Sequence, residues 1–374
     1  MDAPKEWEGD NVRRTTSASL LRWWRATPVR LGVAAVLLVA AIGAAPAHAA
    51  RRLSDGQQEA VTAMARLDAD FYDSQEGLYK VRGGAHEPEA ALWPTSQVLA
   101  AAIAVAKITH APADLARVRR IIASLSHFVT PEGVYHARVI RSLRYYDDNN
   151  WVGLDLLDAA ALLHDSSLVA PAKRIFSFLI SGWDAKQGGG VFWADGHPDR
   201  PTVSTAPGIT LGVRLSALDP SGSYREWPAR FYAWMNSRMR GPQGLYWDHI
   251  QYDGQIDKDL VSYNQGVMID ANVAYAVRTG QRAYIEQARR IAAATAIAFP
   301  GPWRNRGNYA AFDAIYFVSL AHLSALSPGA TNLAPARDYV RWERATAAAP
   351  RLARLENELL EQAAFVQTAA AVGD

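Results

Sequence analysis

Cysteine is missing from all 374 residues. Thiol nucleophiles, thiolate zinc centres and disulfide staples are thereby excluded, and a chain this long buries enough apolar surface to do without them. Charge of one sign is also lacking, with a formal net charge of +2. Setting aside residues 1–49 removes six Lys/Arg and four Asp/Glu and leaves 33 of each. Such a balance offers no handle for a phosphate backbone or an anionic bilayer, so nucleic acid is not an expected partner and a neutral substrate suits better. The nine histidines show neither HExxH spacing nor clustering, and no GxSxG elbow or Walker loop is present. Metal, acyl-transfer and phosphoryl-transfer chemistry therefore lack candidates, and no cofactor is expected. Asp248, Asp253, Asp257 and Asp259 form an acidic loop without EF-hand spacing, which reads as solvated.

Leu31 to Ala44 is an apolar stretch preceded by Arg13, Arg14, Arg22, Arg25 and Arg30 and followed by Ala47-His48-Ala49. It is shorter than the ~20 residues of a spanning helix, and the small-residue pattern suits signal peptidase. Residues 1–49 are thus expected to be a signal peptide, and residues 50–374 a single catalytic domain with a helical tail. The protein would be secreted or held at the cell surface, without stable membrane insertion after cleavage.

With 49% hydrophobic and 20% charged residues the chain is globular in composition. Its organisation shows in a narrow repeat: Gly77-Leu78-Tyr79, Gly133-Val134-Tyr135, Gly190-Val191-Phe192 and Gly244-Leu245-Tyr246 recur at intervals of 56, 57 and 54 residues. Each copy follows an amphipathic stretch and precedes one that is apolar nearly all round. The first kind is clearest from Asp114 to Val129, where Leu115, Val118, Ile121, Ile122, Leu125 and Phe128 make a stripe opposite Arg117, Arg119 and Arg120. These are outer helices. The second kind, beginning near Pro94, Asn150, Ser204, Asn264 and Phe312, is rich in Ala and supplies inner helices. Five outer–inner hairpins are visible, and the segment from about Ala334 to Ala370 supplies a sixth. The fold class is all-α, an (α/α)6 barrel with short β-hairpins in the loops at one end; an open solenoid shares the hairpin repeat.

The long outer-to-inner links fall at one end, and links of this length carry function. Trp93, Trp151, Trp193, Trp247 and Trp303 lie there, one per hairpin. A ring of indoles suits a sugar, whose apolar face stacks on aromatics while its hydroxyls seek fixed polar partners. In the same links stands Tyr145-Tyr146-Asp147-Asp148-Asn149-Asn150-Trp151. Two adjacent carboxylates in a partly dry site push their pKa values apart, so that one stays ionised while the other holds a proton. Glycoside hydrolysis needs that division of labour. The same residue types also cap helix N-termini, and the run alone leaves both readings open. Tyr263-Asn264-Gln265-Gly266 offers a phenol and two amides for hydroxyls, or an N-cap at Asn264. Gly188 to Trp193 joins a flexible approach to an aromatic platform.

In these three segments the chain resembles glycoside hydrolase family 76, the endo-α-1,6-mannanases, over about Ala60 to Leu326. The resemblance implies an (α/α)6 barrel, retaining cleavage of α-1,6-mannosidic linkages and no obligatory cofactor. It makes Asp147 the nucleophile and Asp148 the general acid/base. Tyr146, Asn149, Trp151, Trp193, Trp247, Tyr263, Asn264 and Gln265 are the expected substrate-binding residues, and α-mannan the expected partner. Fungal relatives resemble cell-wall transglycosidases, and a noncatalytic glycan-binding protein would use the same cleft. One departure stands out: where the family tends to have Asn-Gly-Pro before the third inner helix, this chain has Thr205-Ala206-Pro207-Gly208. An amide that would touch sugar is expected to be missing there.

Overall fold

The two kinds of amphipathicity become two concentric layers of helices. The computed structural model describes residues 52–83, 88–140, 142–300, 310–329, 333–346 and 358–373; the expected signal peptide and Trp303 lie outside them. The outer helices are α1 (Asp55–Phe71), α3 (Pro112–Ser124), α5 (Val169–Ser181), α7 (Ser223–Trp234), α9 (Arg282–Ala298) and α11 (Ala334–Thr346). The inner helices are α2 (Leu92–Thr109), α4 (Tyr146–Leu163), α6 (Thr202–Leu218), α8 (Ser262–Thr279), α10 (Ala310–Leu326) and α12 (Glu358–Val372). Each inner helix packs on the next and α12 packs back on α2, while α1 covers the α12–α2 seam. The ring is closed, an (α/α)6 barrel rather than a solenoid, whose first and last repeats would not meet.

Local chemistry fits this plan. Ser54 and Gln57 form a reciprocal capping box at the start of α1, and Pro112 opens α3 where its missing N–H costs nothing. The inner helices α2 and α4 end at His110 and His164, both in the left-handed conformation (φ 50° and 53°), which accounts for two of the nine histidines. Gly266 permits the close approach of α8 to α10: a Cβ there would lie 2.8 Å from the Tyr316 Cα. Apolar α2 is long enough to cross a membrane by composition, but most of it is buried among α1, α3, α4 and α12.

The repeated Gly-aromatic motif forms the link hairpins. Gly77, Gly133, Gly190 and Gly244 all have positive φ (71°, 79°, 110° and 83°), which turns the chain back onto the end of the preceding outer helix. Antiparallel pairs result at Tyr72–Tyr79, Val129–Tyr135, Trp183–Val191 and Arg240–Tyr246. The first lies in strands β1 (Tyr72–Asp73) and β2 (Leu78–Tyr79). A three-stranded sheet, β3 (Arg200–Pro201), β4 (His249–Ile250) and β5 (Ile256–Asp257), joins the third and fourth links.

Candidate active site

Helix α4 begins earlier than its apolar pattern suggests, so Asp147 and Asp148 sit in its first turn rather than ahead of it. The N-cap is Tyr145, which makes no side-chain cap bond. The neighbouring link completes the helix start instead: the Tyr146 N–H donates to the Trp193 carbonyl (2.9 Å), and Tyr145 pairs with Ala194. Capping explains one oxygen of Asp147, which accepts the Asp148 N–H at 3.1 Å, and nothing about Asp148.

Both carboxyls open into a cavity of about 590 Å³ at the link end of the barrel. Tyr145 and Trp193 form one wall, edge to face at 5.1 Å. A second aromatic group in the lining is Trp93, Phe312 and Tyr263, with ring centroids 5.7 and 4.4 Å apart in turn. Trp151 also lines it, and Arg138, Asp199, Asp248 and, from β4, His249 add polar groups.

The two acids are not equivalent. Burial pushes Asp147 up to about 6, held back by donated bonds from the Asp148 N–H and from Trp193 Nε1, at 3.2 Å to its second oxygen. The Asp148 carboxyl accepts no hydrogen bond among the described residues; burial first, then the charge of Asp147, drive its pKa well up. One acid is therefore fitted to carry the charge and the other the proton. Tyr263, raised by burial and then by Asp248 and Asp147, keeps its phenol proton.

Of the expected site residues, Asp147, Asp148, Trp151, Trp193 and Tyr263 line this cavity together. The other five are placed elsewhere. Asn149 and Gln265 are fully buried, and each amide clamps a link hairpin. Asn149 accepts the Tyr135 N–H (2.9 Å) and donates to the Tyr135 carbonyl (3.0 Å). Gln265 does the same with Tyr246, at 2.9 and 2.8 Å. Substrate contact is thereby corrected to hairpin anchoring, because a buried strand edge must find partners for its backbone groups. Thr205, the position of the family departure, serves likewise by accepting the Val191 N–H (3.1 Å), so no sugar-facing amide is missed at that point. These three are the fourth residues of α4, α8 and α6, a regularity the sequence carried but which only pairing partners could explain.

Asn264 is also buried and acts through Asp248, to which it donates at 3.0 Å. Tyr146 stacks on Phe178 (4.3 Å) with its hydroxyl 3.3 Å from Asp195, outside the cavity. Trp247 is not part of the lining; its ring lies under Lys258, and its carbonyl accepts the Thr202 hydroxyl. Conversely, sequence reasoning missed Tyr145, Asp248 and His249 as lining. Asp248 carried a signal in hindsight: it follows Trp247 directly after the fourth Gly-aromatic motif. The solvated reading holds for its loop companions Asp253 and Asp257, whose carboxylates cap local turns.

An all-helical barrel with a half-buried carboxylate pair in an aromatic mouth defines a class, the (α/α)6 glycosidase-type proteins. The model of glycosyl hydrolase family 76 matches residues 57–349, and the chain belongs to that family. A mannan endo-1,6-alpha-mannosidase of Candida glabrata, DCW1, is 26% identical over 141 residues, spanning 34% of this chain and 31% of that protein. Among solved structures, a family 76 mannosidase from Bacteroides thetaiotaomicron superposes with a TM-score of 0.73 at 20% identity, covering 85% of this chain and 97% of the other. An inactive variant of the α-1,6-mannanase GH76A from Salegentibacter sp. HEL1_6, with two adjacent aspartates replaced by asparagine, was solved with α-1,6-mannotriose. It superposes with a TM-score of 0.69 at 19% identity over 85% and 98% of the chains.

Proposed function

We propose that this protein is a secreted, retaining glycoside hydrolase that cleaves α-1,6-mannosidic linkages in mannan. The observation that carries the reading is the unequal pair: adjacent carboxyls in one aromatic cavity, one stabilised as an anion by two N–H donors and the other given none. Asp147 attacks the anomeric carbon, while Asp148 gives its proton to the departing glycosidic oxygen. Asp148, then a carboxylate, takes a proton from water as that water opens the glycosyl–Asp147 ester, and the starting protonation states return. Trp193, Trp93 and Tyr263 supply faces for the sugar rings, and Asp248 with His249 accepts hydroxyls. The neighbour inactivated at two adjacent aspartates and carrying mannotriose supports both the pair and the substrate. Residues 1–49 act as the export signal.

The test is hydrolysis of α-1,6-mannan followed by NMR of the newly released anomer. Formation of the α-anomer first, and loss of turnover in both Asp147→Asn and Asp148→Asn, are the expected results. A β-anomer sinks retention; either variant turning over within a few-fold of the parent sinks the assignment. Adding an acceptor mannoside and looking for lengthened products separates hydrolysis from transglycosylation.

A further inference from the structure

Trp193 is the one side chain that donates to Asp147 among the described residues, yet it stands on a link and is 39% exposed. An exposed indole on a loop does not hold a donor in place unaided. What fixes it is a zipper between its link and the start of α4. The Tyr146 N–H donates to the Trp193 carbonyl (2.9 Å), and the Asp195 N–H donates to the Arg144 carbonyl (3.2 Å). Two side-chain bonds lock this zipper from the outer side. Arg144 Nε meets one oxygen of Asp195 at 2.5 Å, and the Tyr146 hydroxyl reaches the other at 3.3 Å. Arg144 is itself steadied over the Phe178 ring, at 5.2 Å, on which Tyr146 stacks. Asp195 does not line the catalytic cavity.

We infer that Asp195 is a positioning residue for the reaction, which, through Arg144 and Tyr146, holds the Trp193 indole in place to donate to Asp147. The inference rests on Asp147 being the nucleophile. Its consequence is readable as a pH profile, because a hydrogen bond donated to the charged form of an acid favours that form, and losing it raises the pKa. Asp148 and Tyr145 face Asp147 from its own helix region, and Tyr263 from α8. Arg138, Asp199 and the Asp248–His249 pair face the same cavity from the links. None of these is altered by substitution at Asp195.

The sign of the effect discriminates. Asp195→Asn removes a negative charge and leaves the Arg144 cation only its longer contact with Glu132 (3.5 Å), which through space alone would lower the pKa of Asp147. Loss of positioning raises it. The expected result is a shift of the acid limb of kcat/KM toward higher pH by about 0.5 unit, lowering activity about threefold on the acid side and leaving the alkaline side within about twofold. Tyr146→Phe, which alters no charge, should shift the limb less and in the same direction. In a Trp193→Phe background, where the donor is already gone, Asp195→Asn should add no shift. A limb that stays put or moves to lower pH in Asp195→Asn, a uniform loss across pH, or an undiminished shift in the Trp193→Phe background overturns the inference. Should Asp147→Asn retain turnover, the nucleophile assignment fails instead; if it is inactive while the Asp195 shift is absent, only the positioning role fails.

Discussion

Helix α4 carries acids into two different cavities, and the contrast between them shows how surroundings set the charge of a carboxylate. At its N-terminus Asp147 and Asp148 open into the link-end cavity of about 590 Å³. Further along the same helix, Asp155 and Asp158 face a larger lumen of about 770 Å³, which runs between the inner helices from Trp151 and Ile315 to Leu218 and Val277. Size does not select the site. In the lumen burial pushes Asp158 up, but Arg214 and Lys107 more than reverse this and hold it below the ordinary carboxylate range. The Lys107 ammonium lies 2.9 Å from it and the Arg214 guanidinium 2.5 Å. Asp270 is likewise engaged, by His322 and Ser319 at 2.9 Å each. Asp155 is raised by burial and then by Asp158, and it stands alone, since its neighbour is bound to cations. Only the link-end cavity combines two acids facing each other, no cation paired with either among the described residues, and aromatic walls.

Several substitutions break or sharpen this contrast. The largest effect belongs to the mouth: Asp147→Asn and Asp148→Asn should each lower kcat/KM on α-1,6-mannan about a thousandfold or more, equivalent to ~4 kcal/mol of barrier. Gln265→Ala should cost about 2–4 kcal/mol of stability in a denaturant titration, since it strands the buried N–H and carbonyl of Tyr246. Turnover per folded molecule should stay within a few-fold, in contrast to the acids. Asp158→Asn releases two cations from one partly exposed acid, and a loss of only about 1 kcal/mol is expected from solvent-screened pairs. Smallest is Asp155→Asn, for which kcat/KM should be unchanged within about twofold; a loss as deep as that of the mouth variants would place catalysis in the lumen.

The same electrostatics set pH behaviour. Activity should rise as Asp147 ionises, near pH 6, and fall at higher pH as Asp148 loses its proton. Stability runs the other way. Because both acids have folded-state pKa values raised above the unfolded ones, the native state binds more protons between those values, and stability falls as pH climbs through that window. Thermal melts of a protein carrying both Asp147→Asn and Asp148→Asn should therefore show a higher Tm than the parent at pH 7, with the gain disappearing toward pH 4. A lower Tm at pH 7 would mean that the pair is stabilising and not held at a cost.

Much of this was legible in the residues. Helical periodicity with two kinds of apolar face announces two layers, and four evenly spaced Gly-aromatic triplets announce hairpins at one end. Ring closure was expected from six hairpins, but pattern alone left the open solenoid standing beside it, because contact between α12 and α2 joins segments at opposite ends of the chain. At the site, Asp147, Asp148, Trp151, Trp193 and Tyr263 were found from local pattern, since their links converge wherever the barrel closes. Asn149 and Gln265 were misread because an amide suits a sugar hydroxyl and a strand edge equally well, and only the presence of Tyr135 and Tyr246 against them decides.

By itself the sequence determined the helices, their inner or outer place, the turns that need glycine, and the presence of two neighbouring acids, all of which follow from local sterics and the spacing of apolar side chains. Tertiary structure decided how dry the two acids are and which further donor one of them meets. Local backbone N–H groups favour the Asp147 anion first, and a Trp193 indole 46 residues away in the chain adds its bond to Asp147 and none to Asp148, inside a cavity whose walls come from separate hairpins. Burial and hydrogen bonding set a pKa, and both are properties of neighbours in space.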